Sequence, residues 1–397
     1  MIVQHQPPLH LTYCLNIHPG ETWAENLDSI RDKAARVRQL VAPDQWFGLG
    51  LRLGAQAAKE LAGIPDLRHE ALDVFAEHQF YPFSVNAFPY GRFHAGHVKE
   101  DVYAPDWRTR SRRDYTFNAA DALAAFLPEG IDGSISTVPG SFKEWITGPA
   151  DLSAMAENLG AVVAYLAALR DDTGREIHLG LEPEPSCYLE TTAETVAFFK
   201  DVLWTLGVEE VKRIRKCYTA DAEELMRRHL GVCFDTCHVA LQFEDPLEAL
   251  RTYAREGIRI SKVQLSAALM TGGTSDAWTA LRPFAEGVYL HQVKGRTAAG
   301  EVRSWVDLPY AILDEAGHEG IEEVRVHFHV PLFFTGNGPL ASTVSTLTPD
   351  FFKELRKGAT SHVEIETYTF DVLPPEVHPG DAVKSIAREY AWVQEHL

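Results

Sequence analysis

The stretch Gly231-Val232-Cys233-Phe234-Asp235-Thr236-Cys237-His238 ends a short apolar run in an acid and places a histidine three residues later. If 232–234 is a buried strand, Asp235 stands at its carboxyl end and His238 on the first turn beyond, so the two side chains can converge on one point. A carboxylate and an imidazole together make half of a site for a divalent cation. A strand-end Asp is also a common helix cap, so the pair alone does not decide between the two roles.

Other runs end in the same way. Glu182 lies in Ile177-His178-Leu179-Gly180-Leu181-Glu182-Pro183-Glu184-Pro185, Gln264 in 260–265, His329 in 323–330 and Glu366 in 362–368. Side chains alternate along a strand, which puts Arg325, His327 and His329 on one face and Glu364 with Glu366 on another. Isolated buried charges are costly unless paired or coordinated. Five strand ends offering oxygen or nitrogen therefore predict a bound divalent ion, with Mn, Mg or Zn matching a donor set without obvious sulfur. Each residue also has a plainer reading: a hydrogen-bonded core histidine for His327 or His329, a strand cap for Gln264, a solvent-facing Glu184, and a Glu364 paired with Arg325.

The elements that must position these residues alternate short apolar runs with helical patterns, the signature of βα units. Strands are expected at 9–17, 47–53, 81–88, 177–185, 231–235, 260–265, 323–330 and 362–368. A further short apolar run covers 133–138. Helical periodicity is plainest at 151–170, where Leu152, Met155, Leu159, Val162, Val163, Leu166 and Leu169 recur at helical spacing. Eight strands trailed by helices predict an α/β fold, a (β/α)8 TIM barrel whose polar strand ends gather at the carboxyl-terminal face. The expected organisation is one domain over 1–397 with loop insertions at that face, about 86–118 and 267–305; two doubly wound domains are the alternative. In the second insertion, 288–294 with Arg296 beyond can form a hairpin with 301–305 across 297–300.

The segment 86–115 lacks periodicity yet carries Asn86, Tyr90, His94, His97, Lys99, Asp101 and Trp107, then Arg108, Arg110, Arg112 and Arg113. Long irregular loops are often functional, and the arginines read either as a solvated charge run or as a contact for an anionic ligand group. Gly48-Leu49-Gly50-Leu51-Arg52-Leu53-Gly54 has one residue too many for a dinucleotide fingerprint, so its glycines are assigned to close packing. At the first strand, Tyr13, Asn16 and His18 would stand at the same mouth, as hydrogen-bonded rim residues or as substrate contacts.

The chain has 397 residues, 45% of them hydrophobic, and a formal net charge of −19. That balance repels nucleic acid and anionic membranes. Five cysteines without a framework suit a reducing, cytoplasmic setting, and Cys233 and Cys237 are read as packing residues. The amino-terminal stretch lacks a basic segment followed by an apolar core, and neither export nor membrane insertion is expected.

The order of Glu182, Asp235-x-x-His238, Gln264, His329 and Glu366 resembles the xylose isomerase-like barrels, which include sugar and sugar-phosphate isomerases and epimerases and the endonuclease IV type of apurinic endonuclease. Tyr13-Cys14-Leu15-Asn16-Ile17-His18-Pro19-Gly20-Glu21, Lys262-Val263-Gln264-Leu265-Ser266, His291-Gln292-Val293, His327-Phe328-His329-Val330-Pro331 and Glu364-Ile365-Glu366-Thr367-Tyr368-Thr369 are more specifically similar to the metabolite traffic protein EboE family. The resemblance implies that Glu182, Asp235, Gln264 and Glu366 hold the metal, that Glu182 and Glu366 act as acid and base, and that His238 contacts substrate. It implies substrate-facing places for His329, His327, Asn16, Tyr13, His18, Asn86 and His291, and no organic cofactor. Gln264 departs from the His or Asp common in these barrels, and a neutral amide is a weaker ligand. The implied activity is isomerisation or epimerisation of a sugar, cyclitol or related polyol in secondary-metabolite processing or traffic. The alternatives are a non-enzymatic metabolite-binding role and a phosphodiester hydrolase of the endonuclease IV type, for which His327 and His329 replace the Asp-x-His pair it needs.

Overall fold

The computed structural model describes residues 1–91, 99–370, 373 and 380–397. Its larger sheet has nine strands: β1 (Ile2–His5), β2 (Pro8–Tyr13), β3 (Phe47–Arg52), β4 (Phe80–Asn86), β5 (Gly133–Thr137), β6 (Ile177–Leu181), β7 (Leu230–Asp235), β8 (Arg259–Leu265) and β14 (His362–Ile365). β1 is an antiparallel flap on β2, and the other eight run parallel in the order β2-β14-β8-β7-β6-β5-β4-β3. The ring closes between its ends through a parallel bridge from Cys14 to Gly50, with Thr12 Oγ1 donating to the Gly48 carbonyl at 2.9 Å. This is a (β/α)8 barrel. β3, β4, β5, β6 and β7 are buried at every position, as strands covered on both faces must be.

Gly50 explains the glycine-rich β3. A Cβ there would stand 2.9 Å from the Tyr13 carbonyl and collide with the Glu364 carboxylate, so the close packing expected of this run is required by the carboxylate inside the barrel.

Two strands differ from the sequence reading. The run at 133–138 forms β5, a full barrel strand between β4 and β6. The run at 323–330 lies within β12 (Ile321–Val330), outside the barrel. After Leu265 the chain passes directly into a second sheet of β9 (Ala267–Gly272), β10 (Val293–Thr297), β11 (Val302–Trp305), β12 and β13 (Leu340–Ser342), ordered β11-β10-β12-β9-β13 and antiparallel throughout. This insertion outruns the expected 267–305. Its β10–β11 hairpin pairs Arg296 with Val302, across the expected turn.

The helix Pro149–Thr173 is long and apolar enough to span a membrane by length and composition, but 56% of its most apolar stretch is buried. Its Met155, Leu159, Val162, Val163 and Leu166 belong to the core.

Candidate metal centre

Glu182 follows β6, Asp235 ends β7, Gln264 lies in β8 and Glu366 follows β14; all four are buried. Asp235 fulfils both readings of its position. Its Oδ1 caps the helix Thr236–Leu241, accepting from the His238 backbone N–H at 3.0 Å and from Ser266 Oγ at 2.7 Å, while its Oδ2 is buried without a partner. Glu366 Oε1 accepts from Asn16 Nδ2 at 3.3 Å, and Glu366 Oε2 and Glu182 Oε2 are likewise buried and unpartnered. The three carboxylates present atoms that all lie within 4.8 Å of one another. Buried polar atoms are almost always satisfied, so three converging carboxylates, each with an unpartnered oxygen, fit a divalent cation.

Gln264 sits beside Asp235 and Glu364 in register. Its Oε1 accepts from the Cys233 thiol at 2.8 Å, and its unpartnered atom is Nε2. An amide nitrogen is not a metal ligand, so any part Gln264 takes in holding an ion falls to the remaining lone pair of Oε1. Cys233 is thereby more than a packing residue.

The electrostatics fit a cation site. Burial, then the charge of Asp235, pushes the Glu182 carboxyl well above its ordinary range. Burial followed by Glu182 and Asp235 does the same to Glu366. Burial also raises Asp235, but His238, His329 and its hydrogen bonds outweigh that and hold it below the usual value. The balancing charge is Lys262, which donates to Ser84 Oγ at 3.1 Å and to Glu364. Glu364 therefore pairs with Lys262 on the neighbouring strand β8, while Arg325 pairs with Glu323.

The second sheet brings histidines to the same place. His329 Nδ1 donates to the Glu366 carbonyl at 2.7 Å, leaving a buried, unpartnered Nε2, and Asp235, His238 and His329 offer ligand atoms within 4.8 Å of each other. A carbonyl can only accept, so the tautomer is fixed.

A solvent-connected cavity opens over these groups. Of the residues singled out in the sequence, Asn16, Asn86, Glu182, His238, His327, His329 and Glu366 line it. Tyr13, His18 and His291 do not. The Tyr13 hydroxyl stands 2.9 Å from His18 Nε2, and His291 bridges the His327 carbonyl and Glu286. Phe88, Tyr103, Tyr289 and Tyr368 add an aromatic wall, contributed by loops whose sequence carries no period to locate them. Glu184 lines the cavity too, instead of facing solvent, and accepts from the Tyr103 hydroxyl at 2.8 Å.

The arginine cluster is structural. Arg112 is buried and donates to the carbonyls of Pro105, Ala87 and Phe88, fastening the loop behind the cavity. Arg108 pairs with Asp106 and Arg113 with Asp114. His94 and His97 lie outside the described residues.

No protein-family model matches the chain, and no curated protein does. Solved structures do. A xylose isomerase-like TIM barrel protein from Mycobacterium smegmatis, in complex with magnesium, superposes with a TM-score of 0.50 at 13% identity, over 98% of this chain and 96% of that one. The probable 3-DHS dehydratase AsbF of Bacillus anthracis gives 0.48 at 12% identity over 97% and 98%. D-psicose 3-epimerase from Clostridium cellulolyticum H10, with D-tagatose, gives 0.46 at 13% over 98% and 96%. At such identities the likeness speaks to the barrel architecture alone.

Proposed function

We propose that this protein is a metal-dependent isomerase or epimerase acting on a sugar, cyclitol or related polyol. The observation that carries the reading is the convergence of the Glu182, Asp235 and Glu366 carboxylates, each with one oxygen buried and unpartnered, beneath an aromatic-walled cavity. When bound, a divalent ion there supplies Lewis-acid polarisation of a carbonyl and its neighbouring hydroxyl. Each glutamate has two oxygens; with one toward the ion, the other takes or returns a proton at the substrate carbon. Burial and the neighbouring carboxylates raise both carboxyls, which makes each a stronger base than an ordinary glutamate. Asn16 orients Glu366, and His238 hydrogen-bonds a substrate hydroxyl through Nε2. Phe88, Tyr103, Tyr289 and Tyr368 cover the ring face of the substrate and exclude water.

The resemblance to the EboE family supports a place in secondary-metabolite processing or traffic. Five free cysteines, four of them buried, suit the cytoplasm.

The test is solvent exchange. Mn²⁺-loaded protein is incubated in D₂O with a panel of ketohexoses and inositols and followed by NMR. Deuterium entering one carbon of one polyol, abolished by EDTA and restored by Mn²⁺, is the expected result. Exchange indifferent to EDTA, or none in any polyol, contradicts the reading.

A further inference from the structure

The inserted sheet ends in a strand that is open on one side. β11 stands at the end of the order β11-β10-β12-β9-β13 and pairs with β10 alone. At their turn the Thr297 N–H donates to the Glu301 carbonyl at 2.9 Å, and antiparallel ladders alternate bonded with unbonded pairs. The backbone groups of Glu301, Arg303 and Trp305 therefore turn toward β10, and those of Val302 and Ser304 turn outward. Among the described residues the outward groups have no hydrogen-bond partner. The opposite edge differs: at β13 the Leu340 N–H and carbonyl are both taken by Asn337. Open edges are usually blunted by lysine, proline or a bulge. β11 has none of these, its register against β10 is unbroken, and its Val302 is exposed. The helix Leu308–Leu313 packs against it and leaves Tyr310 and Leu313 62% and 79% exposed.

We propose that β11 pairs with β11 of a second copy of this chain, antiparallel about a two-fold axis at Val302, joining the two inserted sheets into one. Charge selects the register. Copies related by a two-fold axis present the same strand to each other, and the outward groups meet only in registers centred on Val302, Arg303 or Ser304. Centring on Arg303 sets that guanidinium against its own copy. Centring on Ser304 sets Arg303 against Trp305 and pairs no charge. Centring on Val302 exchanges two backbone hydrogen bonds between the valines and sets Glu301 opposite Arg303 of the second copy, twice. Opposite charges at facing positions stabilise a strand pair. Among the described residues neither Glu301 nor Arg303 forms an ion pair within its own chain; Arg303 is held by the carbonyls of Gly317 and Glu319 at 2.6 and 2.8 Å. Four residues are too short an edge to join two copies by hydrogen bonds alone. Val306, Tyr310 and Leu313, exposed just beyond the strand, supply the apolar area of the contact. Only β10 separates this edge from β12, so pairing braces the sheet that carries His327 and His329 to the cavity.

The experiment is sedimentation equilibrium of the full chain over a dilution series. The wild type should form a dimer. Glu301→Arg, at an exposed side chain, and Arg303→Glu each set like charges opposite one another and should weaken the dimer on the order of tenfold or more. Mixing the two variants should restore the wild-type Kd, because each then faces its opposite. Val302→Pro removes only an outward N–H and should give monomer with an unchanged circular dichroism spectrum. A monomeric wild type overturns the proposal. So does a dimer that Glu301→Arg and Val302→Pro leave intact, or a mixture of folded variants that stays as weak as its parts. Where Arg303→Glu folds poorly, Glu301→Arg and Val302→Pro decide between the outcomes.

Discussion

The barrel holds two clusters of acids and histidines, one at each end. At the amino-terminal end Asp132 accepts from His178 Nε2 at 3.1 Å, Arg259 at 2.7 Å and Ser361 Oγ at 3.2 Å, with His362 Nε2 3.3 Å away though not aligned for a hydrogen bond. One carboxylate meets its own guanidinium, and its carboxyl is held low: burial opposes this, but His178 and His362 prevail. Burial and Arg259 hold His178 near 3, a neutral ring. At the carboxyl-terminal end Glu182, Asp235, Glu364 and Glu366 share one Lys262, and an oxygen of each lacks a partner. The same residue types make a closed structural joint where the charges balance and a candidate cation site where they do not. Barrels with stabilising lower faces and reactive upper ones follow that division.

The comparison breaks most visibly at Asp235. Asp235→Asn keeps the helix cap but removes a metal oxygen worth several kcal/mol to catalysis. Deuterium exchange should fall about 10³-fold with the melting temperature of the stripped protein unchanged. An exchange rate within threefold of wild type would assign Asp235 to capping alone.

At the other end, Asp132→Ala should cost about 2–3 kcal/mol in urea unfolding, below the ~3–5 of a fully buried pair, because the Asp132 side chain is 26% exposed. Metal stoichiometry should not change. A loss of bound metal would dissolve the distinction between the two ends.

Mn²⁺ should stabilise the stripped protein by about 2.7 kcal/mol at a hundredfold excess over Kd. Glu182 and Glu366 must shed protons to hold it, so the affinity should rise with pH across the neutral range. Affinity that falls or stays level with pH would show these carboxylates are not ligands.

The smallest effect belongs to Glu389, on the terminal helix Ala382–His396. It accepts from the Leu332 N–H at 3.0 Å and Thr367 Oγ1 at 2.7 Å, and burial pushes its carboxyl up to about 7. A raised folded value means stability that is complete below the unfolded value near 4.3 and is lost as pH rises through 7. Glu389→Gln should flatten that decline, with a melting temperature a few degrees above wild type at pH 8 and near it at pH 5.

Much of the upper face is legible in the sequence because parallel strands are buried on both sides. Two of them read as apolar runs whose closing polar residue marks the site, Leu181 to Glu182 and Phe234 to Asp235, while in β14 Glu364 and Glu366 alternate with Val363 and Ile365. Gly133–Thr137 is less legible, since Ser134, Ser136 and Thr137 dilute its hydrophobic signal. In the strand at 321–330, Val324, Val326, Phe328 and Val330 alternate with Arg325, His327 and His329, but His10 and Thr12 in β2, Lys262 and Gln264 in β8 and Glu364 in β14 interrupt barrel strands in the same way, so alternation does not separate it from the barrel. Its histidines reach the site all the same, from an inserted sheet. The tyrosine wall is illegible because loops bring together residues as distant as 103, 289 and 368.

The central claim is that one ion joins Glu182, Asp235 and Glu366. Anomalous diffraction from crystals soaked in Mn²⁺ tests it most directly. The account predicts a peak within about 2.0–2.3 Å of an oxygen from each of the three carboxylates. A protein saturated with Mn²⁺ in solution whose crystals show no peak there, or show the ion at Asp132, would contradict it.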